Sequence, residues 1–517
     1  MLTLDLSPEQ YHTPALLTEA VARKLNVSPS QIAHIQVLRC SLDSRRAIRY
    51  RVSLQPYLVG ETIPKPDYTS PYLDCRNAPP LVIVGAGPAG LFAALRALEL
   101  GLRPVIVERG KPVDLRKHDL TAQVRSSHVD HDSNWCFGEG GAGTYSDGKL
   151  YTRSTKRGDV GYILRKFVEH GADPSILIDL HAHIGTDRLS PIIAAMRQTI
   201  VDHGGEYHFN SRVDNFIISN GAVTGVHCAD GTTHNGIAVL LATGHSARDI
   251  YHLFARNSWL LQPKPFAVGV RVEHPQRHID DIQYHGHNHS PFLPPAAYSL
   301  TAQVGTHGVF SFCMCPGGVI VPAATADGEQ VVNGMSNASR SSAFANSGIA
   351  VTVSPSDIPD FNEDDPLSLL RFQQGIEQAA SAAAGGSLNA PAQRLTDFCQ
   401  GRYSQTLNRT NYMGHCVSVN LHDLLPAFVS QSLRDAFILF DRKMHGFLTS
   451  EASLLAVESR TSSPVRIPRN PDGQHPDLPR LYPCGEGAGY AGGIVSAAID
   501  GERCAEAVAA TVNGLTN

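Results

Sequence analysis

The sequence predicts an α/β protein in three parts: a small N-terminal β-α-β-β domain, a domain with a parallel sheet, and a mixed-sheet domain inserted into the parallel-sheet domain. An apolar strand, a glycine-rich turn, a helix and a second strand follow one another at 81–110. Another strand, glycine-rich turn and helix occupy 481–510, and residues 262–441 between them lose the alternation of strands and helices. The expected domain boundaries are 1–75, 76–260, 261–455 and 456–517, with the second and fourth segments forming one domain.

Bulk properties exclude several classes of protein. The 517 residues carry a net charge of -5, which gives no electrostatic footprint for nucleic acid or an anionic membrane. The first residues lack the basic and apolar segments of a signal peptide, and no apolar run is long enough to span a bilayer. The ten cysteines include no C-x-x-C pair, which argues against a zinc ribbon or a disulfide framework. We therefore expect a cytoplasmic protein with no membrane or nucleic-acid partner.

The N-terminal segment has the pattern of a small α/β unit. Leu2–Leu6 and residues 34–40 and 48–54 read as strands, and residues 14–25 form an amphipathic helix pattern. The hairpin turn is rich in arginine, which is more typical of a solvated turn than of an RNA-binding patch. Residues 59–80 contain five prolines and read as a linker.

The turn after the first parallel strand is a G-x-G-x-x-G. Gly85 permits the tight turn, Gly87 lets a pyrophosphate approach the backbone, and Gly90 lets the helix pack closely on the sheet. Because the helix start carries free N–H groups and a positive dipole end, it favours phosphate. Glu108 at the end of the second strand can accept hydrogen bonds from a ribose and disfavours a 2′-phosphate. The unit predicts a Rossmann-type dinucleotide site formed by Gly85, Gly87, Pro88, Ala89, Gly90, Glu108 and Arg109.

The dinucleotide is expected to be FAD rather than NAD. The sequence Glu108-Arg109-Gly110 looks like the flavoprotein version of this motif. A second glycine-dense stretch, residues 134–150, can bring its backbone close to a planar ligand. Such a loop commonly runs past the isoalloxazine ring in flavoproteins, although a purely structural loop is the alternative. The expected flavin contacts in this stretch are Glu139, Gly140, Gly141 and Gly143.

A third strand, 237–241, ends in Ala242-Thr243-Gly244, where the chain is expected to pass under the nucleotide. Val213 is the candidate for a backbone contact with the adenine. Near the C-terminus, Gly485 and Glu486 follow another strand, and Glu486 can bond the ribityl hydroxyls. Gly493 and Ile494 begin the last helix and can direct N–H groups at the flavin O2 and N1. We add Val213, Thr243, Gly244, Gly485, Glu486, Gly493 and Ile494 to the expected FAD site.

Residues 361–384 and 421–440 of the inserted segment read as helices. The segment also holds two further patterns. His285, His287 and His289 alternate, but no carboxylate or cysteine lies at ligand spacing, so a polar loop is favoured and no metal is expected. Cys313 and Cys315 form a C-x-C, and strand alternation places both on one face. Plain burial is favoured for these two cysteines over redox activity.

Across its length the chain resembles the large bacterial FAD-dependent dehydrogenases that carry an extra N-terminal domain. The resemblance implies a glutathione-reductase-like FAD fold, whereas the substrate stays open. The matching segments are SLDSRRA at 41–47, VGAGPAGLFAA at 84–94, CFGEGGAGTYSDGKLYTR at 136–153, HIGTDRL at 183–189, LATGHSARD at 241–249, KPFAVGVRVEHP at 264–275, FCMCPGG at 312–318, RTSSPVRI at 460–467 and GEGAGYAGGIVSAAIDG at 485–501.

These features favour a FAD-dependent oxidoreductase that moves a hydride between flavin N5 and a small organic substrate. The candidate acid–base or anchoring groups are Lys149, His245 and Arg460. The alternatives are that Lys149 is a surface charge, that His245 is a helix-start residue and that Arg460 forms a structural ion pair. The sequence shows no separate NAD(P)H domain, so nicotinamide binds transiently or the substrate itself donates the hydride. The alternatives are a flavin-dependent tRNA-modifying enzyme and a non-catalytic FAD-binding protein.

Overall fold

The computed structural model describes residues 1–152, 157–286, 290–386 and 388–515. The strands are β1 (Leu2–Leu6), β2 (Ile32–Asp43), β3 (Arg49–Leu58), β4 (Pro80–Val84), β5 (Arg103–Val107), β6 (Glu206–His208), β7 (Val213–Ser219), β8 (Ala222–Cys228), β9 (Thr233–Asn235), β10 (Ala238–Leu241), β11 (Gln262–Pro263), β12 (Phe266–Pro275), β13 (Thr301–Val304), β14 (His307–Cys315), β15 (Val319–Pro322), β16 (Val332–Met335), β17 (Phe344–Val353), β18 (Ala390–Arg394), β19 (Cys416–Ser418), β20 (Ser453–Glu458), β21 (Val465–Arg466) and β22 (Leu481–Pro483).

The helices are α1 (Pro8–His12), α2 (Pro14–Leu25), α3 (Pro88–Glu99), α4 (Val113–Ser126), α5 (Val160–Glu169), α6 (Thr186–Asp202), α7 (Arg248–Arg256), α8 (Gln276–Gln283), α9 (Ser368–Ala383), α10 (Leu395–Cys399), α11 (Leu421–Leu424), α12 (Ala427–Lys443) and α13 (Ile494–Leu515). Within the described residues, no helix combines the length and apolar character needed to cross a membrane.

A five-stranded parallel sheet has the order β22-β10-β4-β5-β6. Its central strand β4 is an unbroken apolar run that is covered on both faces, as parallel sheets require. Helices α3 and α13 pack against each other, and Gly501 on α13 allows the contact because a Cβ there would lie 2.1 Å from the carbonyl oxygen of Ala89. The carboxyl ends of β4, β5, β10 and β22 therefore meet at one edge of the sheet.

The inserted segment forms a seven-stranded mixed sheet, β13-β14-β17-β12-β20-β18-β19, in which only β18 and β19 pair in parallel. Helix α12 covers this sheet with buried aromatic side chains such as Phe437 and Phe440. Strand β20 crosses the expected boundary between residues 455 and 456, so the sheet extends past that boundary.

Two helix predictions in this segment were wrong in extent. Residues 361–384 were expected to be helical throughout, but α9 begins only at Ser368, after turns that end at Leu367. Residues 421–440 were expected to form one helix and instead form α11 and α12. Pro426, which lacks an N–H and precedes α12, accounts for the break.

The N-terminal unit has the predicted β-α-β-β order, with the short α1 added before α2, and its sheet order is β1-β3-β2. It contacts both other sheet units. Cys40 on β2 donates its N–H to the carbonyl of Ile178 at 2.9 Å, and the hydroxyl of Tyr50 on β3 donates to the carbonyl of Phe292 at 3.2 Å. The unit is thus fixed against the rest of the chain.

Three histidines near the alternating tract of the inserted segment contact backbone carbonyls. His274 and His278 each place Nε2 2.8 Å from a carbonyl, those of Phe447 and Gly446. His285 places Nε2 2.7 Å from the carbonyl of Ser44. His287 and His289 lie outside the described residues.

Candidate active site

A cavity of about 560 Å³ lies at the carboxyl edge of the parallel sheet and is lined on its other side by strands of the mixed sheet. This volume is in the range typical of sites for small organic ligands. Seventeen of the residues expected from the sequence line it: Gly85, Gly87, Pro88, Ala89, Glu108, Arg109, Gly141, Gly143, Lys149, Val213, Thr243, Gly244, His245, Arg460, Glu486, Gly493 and Ile494. The structure therefore brings most of the expected site residues together around one cavity.

The first glycine turn leads straight into α3. Gly87 is the N-cap residue of the helix, and a Cβ there would meet nothing closer than 3.9 Å, the Cα of Gly141. The space beside Gly87 belongs to the cavity and faces the helix start, where unpaired N–H groups attract an anion. A Cβ at Gly90 would lie 1.9 Å from the carbonyl oxygen of Gly85, so Gly90 is required for packing and not for contact with a ligand.

Glu108 connects three turns around the cavity. Its carboxylate accepts hydrogen bonds from the N–H groups of Ala86 at 2.8 Å, Gly110 at 2.9 Å and Gly138 at 3.0 Å. A carboxylate has about four acceptor positions, so one is left for the expected ribose hydroxyl. Arg109 contacts Asp132 and Asp249 and lies over the ring of Phe137, which fixes the far side of this turn.

Arg116 on α4 holds the glycine-dense loop in shape, and the sequence analysis missed it. Its side chain is fully buried and donates to the carbonyls of Asn134, Glu139 and Gly141, each at 2.8 Å. Burial lowers the pKa of Arg116. No pattern in the sequence marks this arginine, because its partners are backbone atoms about twenty residues away.

Four expected contacts lie outside the cavity wall. Gly90 packs under the turn, and a Cβ at Gly140 would lie 2.0 Å from the hydroxyl oxygen of Thr144. Glu139 is fully buried and accepts from the N–H of Val113 at 2.8 Å. Arg197 donates to the same carboxylate oxygen of Glu139 at 2.9 Å, and burial raises the Glu139 pKa to about 7. Glu139 therefore supports the loop from behind.

The fourth of these residues, Gly485, has its N–H bonded to the carboxylate of Asp500 at 2.8 Å. Asp500 also lies within 4.8 Å of the sulfurs of Cys484 and Cys504, a grouping that resembles a metal site. The guanidinium of Arg469 donates to both carboxylate oxygens of Asp500, at 2.6 and 3.0 Å. Arg469 therefore already supplies the cation that balances this carboxylate.

Lys149 lies where the glycine-dense loop meets β14. Its ammonium donates to the carbonyl of Met314 and lies 3.3 Å from the carboxylate of Asp147. Asp147 also accepts from Arg340, 3.0 Å from its Nε, and from the hydroxyl of Ser336. Burial opposes the charge of Lys149, but the carboxylate of Asp147 raises its pKa.

His245 and Glu486 form a pair at the carboxyl ends of β10 and β22, with His245 Nδ1 3.3 Å from Glu486 Oε1. His245 Nε2 is buried and has no hydrogen-bond partner within the part of the chain that the structure describes. This nitrogen is available to a ligand group that reaches the pair.

Arg460 belongs to a buried ion network. Its Nη2 lies 2.9 Å from both Glu329 and Glu377, and its Nη1 donates to the hydroxyl of Thr325 at 2.7 Å. Arg248 contacts the same two glutamates at 2.8 Å. Burial alone would raise the Glu377 pKa, but Arg460 and Arg248 lower it to about 2. These contacts favour the structural ion pair over an acid–base role for Arg460.

The C-x-C segment departs from the predicted burial on one face. A register shift between Phe312 and Cys315 interrupts β14, and Cys313 has a φ of 44°. Cys313 is exposed, whereas Cys315 is buried, and both line the cavity. The bulge breaks the strand alternation on which the prediction relied.

Three segments of the chain match known families. Residues 265–461 match a family described as FAD-dependent protein, C-terminal domain-like. Residues 81–119 match one described as FAD binding domain, and residues 1–57 match a domain of unknown function. An uncharacterised protein of Clostridium beijerinckii is 37% identical over 512 residues, which cover 95% of each chain. A 4,4'-diapophytoene desaturase (4,4'-diapolycopene-forming) of a Methylomonas species is 43% identical over 53 residues, 10% of each chain.

Solved structures give more distant likenesses. CtdE in complex with FAD is 12% identical with a TM-score of 0.33, and the match covers 82% of each chain. A geranylgeranyl bacteriochlorophyll reductase-like protein of Thermoplasma acidophilum is 13% identical with a TM-score of 0.37, covering 85% of this chain and 79% of that protein.

The relative that matches along nearly the whole chain and the two FAD-related family matches agree with the glycine turns at the sheet edge. The chain belongs to the same family as the uncharacterised Clostridium beijerinckii protein, and its cofactor is FAD.

Proposed function

We propose that this protein is a FAD-dependent oxidoreductase that transfers a hydride between the flavin and a small organic substrate held in the cavity. When bound, FAD supplies the ring that accepts and donates hydride. The protein supplies binding, orientation and electrostatics.

The observation that carries this proposal is the difference between the two walls of the one cavity. The parallel-sheet wall consists of glycine turns, helix starts and Glu108, which suit a dinucleotide. The mixed-sheet wall instead presents side chains of β13 and β14, among them Thr301, Phe310 and Ser311. Hydroxyl groups and aromatic rings of this kind suit a second, smaller organic molecule.

The chain's own groups have distinct roles in this proposal. The start of α13 at Gly493 and Ile494 lines the cavity, so the positive end of a long helix favours negative charge there. The His245–Glu486 pair offers an unpartnered ring nitrogen that can hold or move a proton. Strands β13 and β14 of the mixed sheet form the wall of the cavity opposite the glycine turns.

The source of electrons is part of the proposal. The sequence has no separate nicotinamide domain, so we propose that NAD(P)H binds transiently in the mixed-sheet half of the cavity or that the substrate is itself the hydride donor. A small-molecule substrate without a nucleic-acid partner fits the net charge of -5.

The proposal is tested by anaerobic reduction of the purified, FAD-loaded protein with NADH, NADPH and a panel of small metabolites. We expect at least one of these compounds to bleach the flavin absorption band, and air to restore it. Dithionite serves as the control that the flavin is reducible. Bleaching by dithionite alone would contradict the proposal and favour a non-catalytic FAD-binding protein.

A further inference from the structure

An unbalanced positive charge lies next to the cavity, where the glycine-dense loop meets β14. Lys149 and Arg340 share a single carboxylate, that of Asp147. The neighbouring buried pair of Arg271 and Glu458 is balanced. The cluster formed by Lys149, Asp147 and Arg340 therefore carries one net positive charge.

The cysteines beside this cluster do not cancel its charge. Although Cys313 is exposed toward the cavity, the protein atoms around its thiol raise the thiol pKa to about 12, and burial raises the pKa of Cys315 as well. Both thiols are consequently neutral near pH 7, where the ammonium of Lys149 is charged.

Of the two cations, Lys149 is the one that lines the cavity. Its side chain is 22% exposed, whereas that of Arg340 is 12% exposed. In the described part of the chain, the ammonium contacts the carbonyl of Met314 and the carboxylate of Asp147. An ammonium has three donors, so one remains for a ligand.

The wall next to Lys149 is apolar and aromatic in part. Phe310 and Phe312 on β14 both line the cavity and are only partly buried, and Met314 follows them on the same strand. A rigid carboxylate or phosphate ester with an apolar body matches this combination of one charge and two rings.

We propose that the substrate of this site is a small organic anion whose carboxylate or phosphate pairs with Lys149 while its apolar body lies on Phe310 and Phe312. This inference rests on the proposed function, since it names the class of substrate for that reaction. It makes Lys149 a binding residue that contacts substrate, while the carboxylate of Asp147 offsets part of the positive charge of the cluster.

Isothermal titration calorimetry on the FAD-loaded protein tests the inference with three probes of similar shape: benzoate, phenyl phosphate and the neutral benzamide. We expect at least one anion to bind more tightly than benzamide. The Lys149→Met substitution should weaken the binding of that anion by about tenfold or more, as expected when a hydrogen bond to a charged group is lost. Lys149→Arg should retain binding, and Lys117→Met, an exposed lysine on α4, should not change it.

A second variant separates charge from structure. Asp147→Asn removes the negative charge beside Lys149, so we expect it to tighten anion binding several-fold, opposite to Lys149→Met. A purely structural role for the cluster would instead weaken binding in both variants. FAD content and thermal midpoint are measured for every variant.

Equal affinity for benzamide and the anions, or anion affinity that is unchanged in both Lys149→Met and Asp147→Asn, would overturn the anion site. The titration requires no turnover, so it gives its answer even if no compound bleaches the flavin. Bleaching by a metabolite without Lys149-dependent anion binding would keep the proposed function and reject this inference.

Discussion

At the scale of single residues, Gly87 and Gly90 belong to the same motif but meet different surroundings. A Cβ added at Gly87 would point into the open cavity. A Cβ added at Gly90 would lie 1.9 Å from the carbonyl oxygen of Gly85. A side chain at residue 87 therefore competes with a ligand, and a side chain at residue 90 competes with the fold. Substitutions at residue 87 therefore test cofactor binding, and substitutions at residue 90 test stability.

We expect Gly87→Val to give a folded protein without FAD, because the isopropyl group occupies the path of the pyrophosphate without meeting protein atoms. Flavin absorbance and circular dichroism measure the two properties. Gly375→Val on α9, where an added Cβ also meets nothing within 4 Å, should keep its FAD. Gly90→Ala should lose stability instead. Wild-type FAD content in Gly87→Val would show that the phosphates lie elsewhere.

The residues that sequence patterns could predict are those whose backbone position fixes their role. Gly85, Thr243 and Glu486 follow parallel strands, and the ends of parallel strands meet at one edge. Arg116 could not be predicted in this way, because its role depends on carbonyls brought to it by a folded loop. Arg460 was identified from the sequence, but its partners Glu329 and Glu377 were not, because they lie far away in sequence.

At the scale of elements, β12 shows how a central strand can carry buried charge. Arg271, Glu273 and His274 all lie on this strand and are almost fully buried. Arg271 pairs with Glu458 on the neighbouring β20. Glu273 instead accepts from the N–H of Asn411 at 3.1 Å, and no salt bridge reaches it from the described residues. Burial raises the pKa of Glu273 to about 7.

This raised pKa makes the stability contributed by Glu273 depend on pH. The folded-state pKa lies above the ordinary value of 4.5, so the folded state retains a proton that the unfolded state loses between these values. The stability that Glu273 contributes is therefore fully present below pH 4.5 and is lost as the pH rises to about 7.

The glutamine in Glu273→Gln does not titrate. We therefore expect the free energy of unfolding of this variant, relative to that of the wild type, to rise by roughly 3 kcal/mol between pH 4.5 and pH 7.5. Urea unfolding of both proteins at several pH values measures this difference. The control is Glu451→Gln, a change at an exposed residue, which should show no such trend. A wild-type–variant difference that stays constant with pH would contradict the burial of an uncompensated carboxyl group at residue 273.

Two features, the β14 bulge and helix α4, show why local sequence patterns did not predict every element. The C-x-C on β14 reads as regular alternation, yet the register shift places Cys313 in the cavity wall. That shift is set by pairing with β17, a strand about thirty residues away, and not by the neighbouring residues. Helix α4, which carries Arg116, was also not predicted, because its pattern of apolar residues is weak.

At the scale of the whole molecule, the cavity exists because two sheets face each other across it. Contacts between distant segments fix this arrangement. Arg248 at the start of α7 reaches Glu329 and Glu377, while Arg460 joins the same glutamates just after β20. The sequence predicted a covering domain, but the register of its strands and the ion pairs that join it to the parallel sheet emerge only from the folded chain.

The central claim is that the glycine turns near both ends of the chain hold one FAD, whose flavin ring faces the mixed sheet. A crystal structure of the protein with FAD tests this most directly. We expect density for the pyrophosphate at Gly87 and for the isoalloxazine ring between the start of α13 and strand β14, with Lys149 on the ring's open side. Density for the ring outside this cavity, or against the parallel sheet with no space left toward β14, would contradict the account.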